Sequence, residues 1–185
     1  MDIDFESYIR GSEPDKKEKA SAWKTAIGLQ AVDGLQTSDY LKDTAVKHIE
    51  GDISIDEVKK LINGYYQSKT ARTLQDEETE EADKVSANIA RILNEQSFAF
   101  SVAGFTSIHR RLFEEIFKFA GKIRDYDITK KEWVLRGDTV LYVNSEDLRR
   151  ALEYDLEQEK TFSYQGLSMD LSLIHISEPT RHLRI

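Results

Sequence analysis

His48, in the run KHIEGD, and His109, in FTSIHRRLFEEIF, are residues of this 185-residue chain whose ordinary pKa suits proton transfer near neutral pH. Neither sits in a spacing that builds a reaction centre. His109 lies between Ile108 and Leu112 on an amphipathic stretch, with no carboxylate or hydroxyl spaced to orient it, and reads as a histidine packed at a core edge. His48 is followed by Glu50 and has no second ligand at i+4, which argues against a helical metal pair. Glu114 and Glu115 are adjacent, point to different helix azimuths, and read as a solvated face. Cysteine is absent, which removes thiolate catalysis, disulfides and cysteine-ligated metals. There is no glycine-rich phosphate loop, no G-x-S-x-G and no H-E-x-x-H.

The elements that carry these residues are mostly helical by pattern. A formal charge of -8 with no cluster of Lys and Arg argues against nucleic-acid binding. No apolar run approaches a bilayer span, and the acidic start MDIDFESYIR is unlike a secretory signal, so a cytoplasmic protein with no membrane partner is expected. Residues 1–20 are charged and read as a flexible leader. From Ser21 the spacing predicts a helix carrying Trp23, Ile27 and Ala31, stopped by Gly34. A second runs from Ser38 to Gly51 with Leu41, Ala45 and Ile49 inward. A third opens on the capping box Ser54–Glu57 and turns Val58, Leu61, Ile62 and Tyr65 inward. Three such helices bury too little surface to stand alone and need a partner.

Residues 69–96 are an acidic connector and helix: 69–84 read as a connector or a solvated helical start, and helical spacing returns at Val85, Ile89 and Ile92. Beyond it Phe105, Ile108, Leu112, Ile116 and Phe119 form one wide apolar face. The period then changes. WVL and TVLYV are separated by Arg136-Gly137-Asp138, which reads as a hairpin turn and not as an adhesion motif. Asn144 or Ser145 caps a last helix with Leu148, Leu152 and Leu156. The expected fold is mainly α with one β-hairpin.

Two stretches resemble known families. FTSIHRRLFEEIFKFAGKIRDYDITK, followed by the hairpin and SEDLRRALEYDL, is similar to the N-terminal part of a Fic (Fido) domain over residues 97–170. The shared pattern is I-H-x-x-L-F then F-A-G-x-x-R, carried by Ile108, His109, Leu112, Phe113, Phe119, Ala120, Gly121 and Arg124. Residues 21–68 resemble the VbhA-type antitoxin that holds Fic toxins inactive, with Gly51, Ile53 and Val58 in its second pattern. At the inhibitory motif Leu29 stands where Ser or Thr is usual and Asp33 where Glu is usual, while Gly34 is kept.

The resemblance implies transfer of AMP from ATP, with Mg2+, to a hydroxyl side chain of a target protein that the sequence does not identify. It also implies an intramolecular antitoxin–Fic contact in which Asp33 opposes an arginine of the nucleotide site. A target-docking flap would comprise Glu132, Trp133, Val134, Leu135, Val140, Leu141 and Tyr142, which in the family adds a strand of the target. The family's H-P-F-x-x-G-N-x-R motif, source of its base and its γ-phosphate arginine, does not occur in the chain. The chain as written is therefore expected to be inactive, with no productive binding of ATP or Mg2+. The alternative expectation is a noncatalytic antitoxin or interaction module that regulates a Fic toxin.

The last fifteen residues, 171–185, break every preceding pattern. LSLIHISEPTR, from Leu171 to Arg181, resembles, residue for residue, the translation of the transposase-type adapter used in short-read library preparation. Natural coding sequence is then expected to end near Asp170, before the catalytic motif. A peptide running from Met169 through Arg181 should accordingly be missing from the native cellular protein. Mass spectrometry of that protein checks this, and recovery of the peptide refutes it.

Overall fold

The computed structural model describes residues 5–69, 73–95, 99–131 and 139–163. It divides into two compact units, Met1–Ser97 with Arg111–Lys118, and Phe98–Arg110 with Phe119–Ile185.

The first unit is helical: α1 (Phe5–Gly11), α2 (Pro14–Val32), α3 (Asp39–Glu50), α4 (Ile55–Gln67) and α5 (Leu74–Leu93). Local chemistry sets most of the ends. Pro14 opens α2, where its missing N–H is harmless. The Ser38 hydroxyl accepts the Leu41 N–H at 3.0 Å to start α3. The Ser54–Glu57 box starts α4 as its spacing predicts. Thr73 and Asp76 form a second capping box, so the acidic stretch, read as a connector or a solvated helical start, is helical from Leu74. Gly51 closes α3 at φ 88°, with the Asp52 N–H returning to the Lys47 carbonyl at 2.9 Å.

The expected flexible leader is instead helical from Phe5. Phe5, Tyr8 and Ile9 pack on the core, and Ala20 is fully buried. Its charges sit outward and pair across helices, Lys24 with Glu6 and Lys16 with Glu50, which a reading by composition cannot foresee. Two helix faces also rotate from expectation. Ala31 is exposed and Gln30 buried; Leu61 is exposed, Tyr65 only half-buried, and Tyr66 buried beside Ile62. In α2 the cause is the 3.6-residue turn, counted from Trp23 to Gln30 and Ala31. A residue at i+8 lies roughly 80° round the helix from i, whereas one at i+7 lies roughly 20° away.

The core of this unit joins Trp23 and Ala26 of α2 to Leu41, Ala45 and Ile49 of α3, Val58, Ile62 and Tyr66 of α4, and Ala87 and Ala90 of α5. The partner surface that α2, α3 and α4 require is therefore α5, whose alanines permit close approach. Trp23 has no exposed surface, and its burial contributes a gross roughly 4–6 kcal/mol by area.

Asp83 of α5, also without exposed surface, lies among these apolar side chains. Its carboxylate accepts the Ser38 N–H at 2.8 Å, the Ser38 hydroxyl, and the Tyr66 hydroxyl at 2.6 Å. One side chain thus ties the start of α3 and the end of α4 to α5. Burial pushes the Asp83 carboxyl up from the usual range, against the pull of its three donors.

In the second unit α6 (Val102–Phe113) contributes its residues through Arg110, followed by β1 (Thr129–Lys131), β2 (Thr139–Leu141) and α7 (Ser145–Thr161). The strands pair antiparallel, Thr129 opposite Leu141 and Lys131 opposite Thr139. Val102, Leu148 and Leu152 form the centre of its core, with Phe105, Ile123, Val143, Ala151 and Leu156 around them. The leucine stripe of the last helix is as its spacing predicts. Ile116 and Phe119 do not extend the α6 face, because the helix stops at Phe113 and Glu115 takes φ 69°. Asn144 is the N-cap residue of α7 but its side chain makes no cap bond; the Asp127 carboxylate accepts the Ser145 N–H at 2.7 Å instead.

The described fold is mainly helical, and no described helix is long and apolar enough to cross a membrane. Replacing Asp83 with Ala leaves the Ser38 and Tyr66 donors in a dry site and should destabilise the chain by about 3 kcal/mol or more. Tyr66→Phe should cost less, and a double-mutant cycle by urea unfolding should show the pair to be coupled.

Candidate functional site

The C-terminal tip of α2 carries the residues singled out for inhibition. Asp33 is its C-cap and Gly34 follows at φ 79°. The Gly34 N–H donates to the Ala31 carbonyl at 3.1 Å and the Leu35 N–H to the Gln30 carbonyl at 2.9 Å, which is a Schellman ending. Gly34 is thereby accounted for by backbone geometry, since an L side chain in the left-handed region costs about 1–2 kcal/mol. Asp33 is not. Its carboxylate is exposed at the negative end of the helix dipole, where a cation is favoured. It also adds to the negative field at α5: burial first, then Glu78 and Asp33, push the Glu81 carboxyl above its usual range. Leu29, one turn back, and Val32 are exposed apolar side chains on the same tip.

Of the proposed flap, Val140 and Leu141 lie in β2 and Tyr142 directly follows it. Glu132, Trp133, Val134 and Leu135, like the Arg136-Gly137-Asp138 turn, lie outside the described residues. The strand pair is tied at its base by Arg124, whose buried guanidinium donates to the carbonyls of Tyr126 before β1 and Val143 after β2. The same end is closed where Asp127, before β1, accepts the Ser145 N–H at the start of α7, and that bond holds its carboxyl below the usual range.

His109 Nδ1 accepts the Gly121 N–H at 2.8 Å, so the ring is neutral with its proton on Nε2. Burial lowers its pKa. Gly121 takes φ 74°, and a Cβ there would stand 2.6 Å from the Arg110 Cβ. Histidine and glycine form one joint that turns the chain after α6. His109, Gly121 and Arg124 therefore act as structural fasteners, as expected of His109 from its place on the helix.

His48 is buried, and its Nδ1 likewise accepts an N–H, that of the Trp23 indole at 3.0 Å. Glu114 is not a solvated acid. It is half-buried in the first unit, paired with Lys59 at 3.1 Å and Arg91 at 3.0 Å, while Glu115 accepts the Asn63 amide at 2.9 Å. The period misled because both lie past the end of α6. Lys59, Asn63, Asn88, Glu114 and Glu115 help to line a small cleft in which Glu114 is already paired with Lys59 and Arg91.

Sequence reasoning missed Asp83, the Trp23–His48 bond and the Glu114 pairings. A weak signal existed for the first, because Asp83, Ala87 and Ala90 share one stripe at i, i+4 and i+7. Among the described residues no group of three or more His, Asp or Glu is placed to hold a metal ion. No family model matches the chain, and no curated protein or solved structure matches it either.

The tip of α2 is the place where a charge is held against local electrostatics. Asp33→Asn should raise folding stability by ~0.3–1 kcal/mol, measured by urea unfolding at low salt, and the gain should fade as salt is added. A loss of stability would mean that Asp33 has a favourable partner within the fold.

Proposed function

We propose that the chain is the inhibitory helical part and N-terminal catalytic-domain part of a Fic-type protein AMP transferase. The observation that carries this reading is the interlocking of the residues on which the resemblance rests. His109 receives the Gly121 N–H, Gly121 admits no side chain, and Arg124 clasps the base of a strand pair that leads into a capped helix. A chance match of short motifs has no reason to place His109 on the Gly121 N–H and Arg124 at the base of the strand pair. The exposed and electrostatically disfavoured Asp33, flanked by exposed Leu29 and Val32, supports the inhibitory role of the α2 tip.

The chemistry divides between this chain and what would follow Asp170. The general base, the amides that cradle phosphates and the γ-phosphate arginine belong to the H-P-F-x-x-G-N-x-R motif, which the chain lacks. ATP and Mg2+ would be held there and supply the transferable AMP. The β1–β2 pair would dock an extended segment of the target by strand addition. Asp33 would oppose the arginine until α2 is displaced. A self-contained bundle in the first unit is the feature that would suit the other reading, a noncatalytic module that binds a Fic toxin.

Clean sequencing of the locus beyond the Asp170 codon should find H-P-F-x-x-G-N-x-R in frame within a helix length or two. The chain carrying that motif should label protein from ATP radiolabelled at the α-phosphate, whereas residues 1–185 should not. Asp33→Ala should raise labelling by roughly 5–150-fold, the ordinary range of a coupling between sites. A stop codon in place of the motif rejects the transferase reading and leaves the binding module.

A further inference from the structure

We infer that the Trp23–His48 bond is an acid-operated latch: a proton taken up by His48 Nδ1 releases α2 from α3. The geometry leaves little alternative. Neutral imidazole has one acceptor nitrogen, and in His48 that nitrogen is occupied by the Trp23 indole N–H at 3.0 Å. The incoming proton has to bind there, because Nε2 already carries the other. After protonation two N–H donors face one another in a site where Trp23 has no exposed surface and His48 only 5%. An opposed pair of donors and an unpaired charge are both costly away from water, so the ring must swing out or the helices must part.

The charged groups that bear on the ring come from α2. Lys19 disfavours its protonation and Asp15 favours it, and the two are joined at 2.7 Å. Further along α3, Glu50 is tied to Lys16 of α2 and to Tyr8 of α1, which keeps that carboxylate engaged. Burial is the main cause that holds the His48 pKa below its ordinary 6.5, with Lys19 second. The sign follows. Above 6.5 neither folded nor unfolded chain binds this proton and the latch is intact. As pH falls below that value the unfolded or opened form takes the proton first, so stability from the latch is lost as the medium acidifies.

Release of α2 would move its tip, Asp33 and Gly34. On the reading proposed above, which this consequence alone requires, mild acid would relieve the inhibition. The latch itself can be tested without any transferase activity, so its failure and the failure of that reading are distinguishable.

The chain contains two tryptophans, so Trp133→Phe leaves Trp23 as sole reporter. In the full 185-residue protein, Trp23 emission should shift reversibly to the red between pH 7.5 and 5, with a midpoint below 6.5 and helical circular dichroism retained. His48→Asn places a non-titrating amide oxygen close to the Nδ1 position and should abolish the shift. Lys19→Gln, at the helix surface, should move the midpoint upward, and it serves if the asparagine variant folds poorly. Emission that holds steady until the whole chain unfolds, an equal shift in His48→Asn, or an unmoved midpoint in Lys19→Gln overturns the latch.

Discussion

A carboxylate taken out of water costs several kcal/mol unless donors replace its hydration, and Asp83 is out of water altogether. Its three donors come from two residues of two other helices. Ser38 serves twice, since the hydroxyl that caps α3 by accepting from Leu41 also donates to Asp83. The start of α3, the last turn of α4 and the middle of α5 must therefore sit in one mutual register or an acceptor is stranded. Apolar packing of Trp23, Ile49 and Ile62 supplies most of the driving force in this unit, but such contacts tolerate sliding. The buried acid is what makes one arrangement of these helices much better than its neighbours.

The second unit uses the same logic with other groups. Its centre is small, with Val102, Leu148 and Leu152 as the buried residues, and polar fasteners do much of the positioning. His109 and Gly121 close the turn after α6, Arg124 binds the carbonyls on both sides of the strand pair, and Asp127 caps α7 across the chain. Each is a side chain satisfying a backbone group that its own element leaves orphaned. A strand pair this short is not stable unaided, and the guanidinium at its base helps to hold it.

Both His48 and His109 are held neutral by the requirement that Nδ1 accept an N–H. Neither is free to act as a base without giving up a structural bond. This places catalytic proton transfer, on the proposed reading, in the motif that would follow Asp170, and it leaves to these residues the holding and releasing of helices. The α2 helix is where the two themes meet. Its buried middle is latched through Trp23, and its exposed tip ends in an aspartate that the helix dipole disfavours.

What the sequence determined by itself was local. The Ser54–Glu57 box, the Gly34 and Gly51 stops and the leucine stripe of α7 are set by residues within a turn of one another, and each is legible in the letters. What only the tertiary structure decided was which polar side chains are buried and against what. Asp83 reads as one acid in an acidic run, Glu114 as a solvated face, and residues 5–20 as a charged leader. Their partners lie 17 to 55 residues away along the chain, as with Tyr66, Ser38 and Lys59, and no periodicity records a contact at that separation. Burial of a charge is settled by the sum of distant donors, and that sum exists only once the helices have packed.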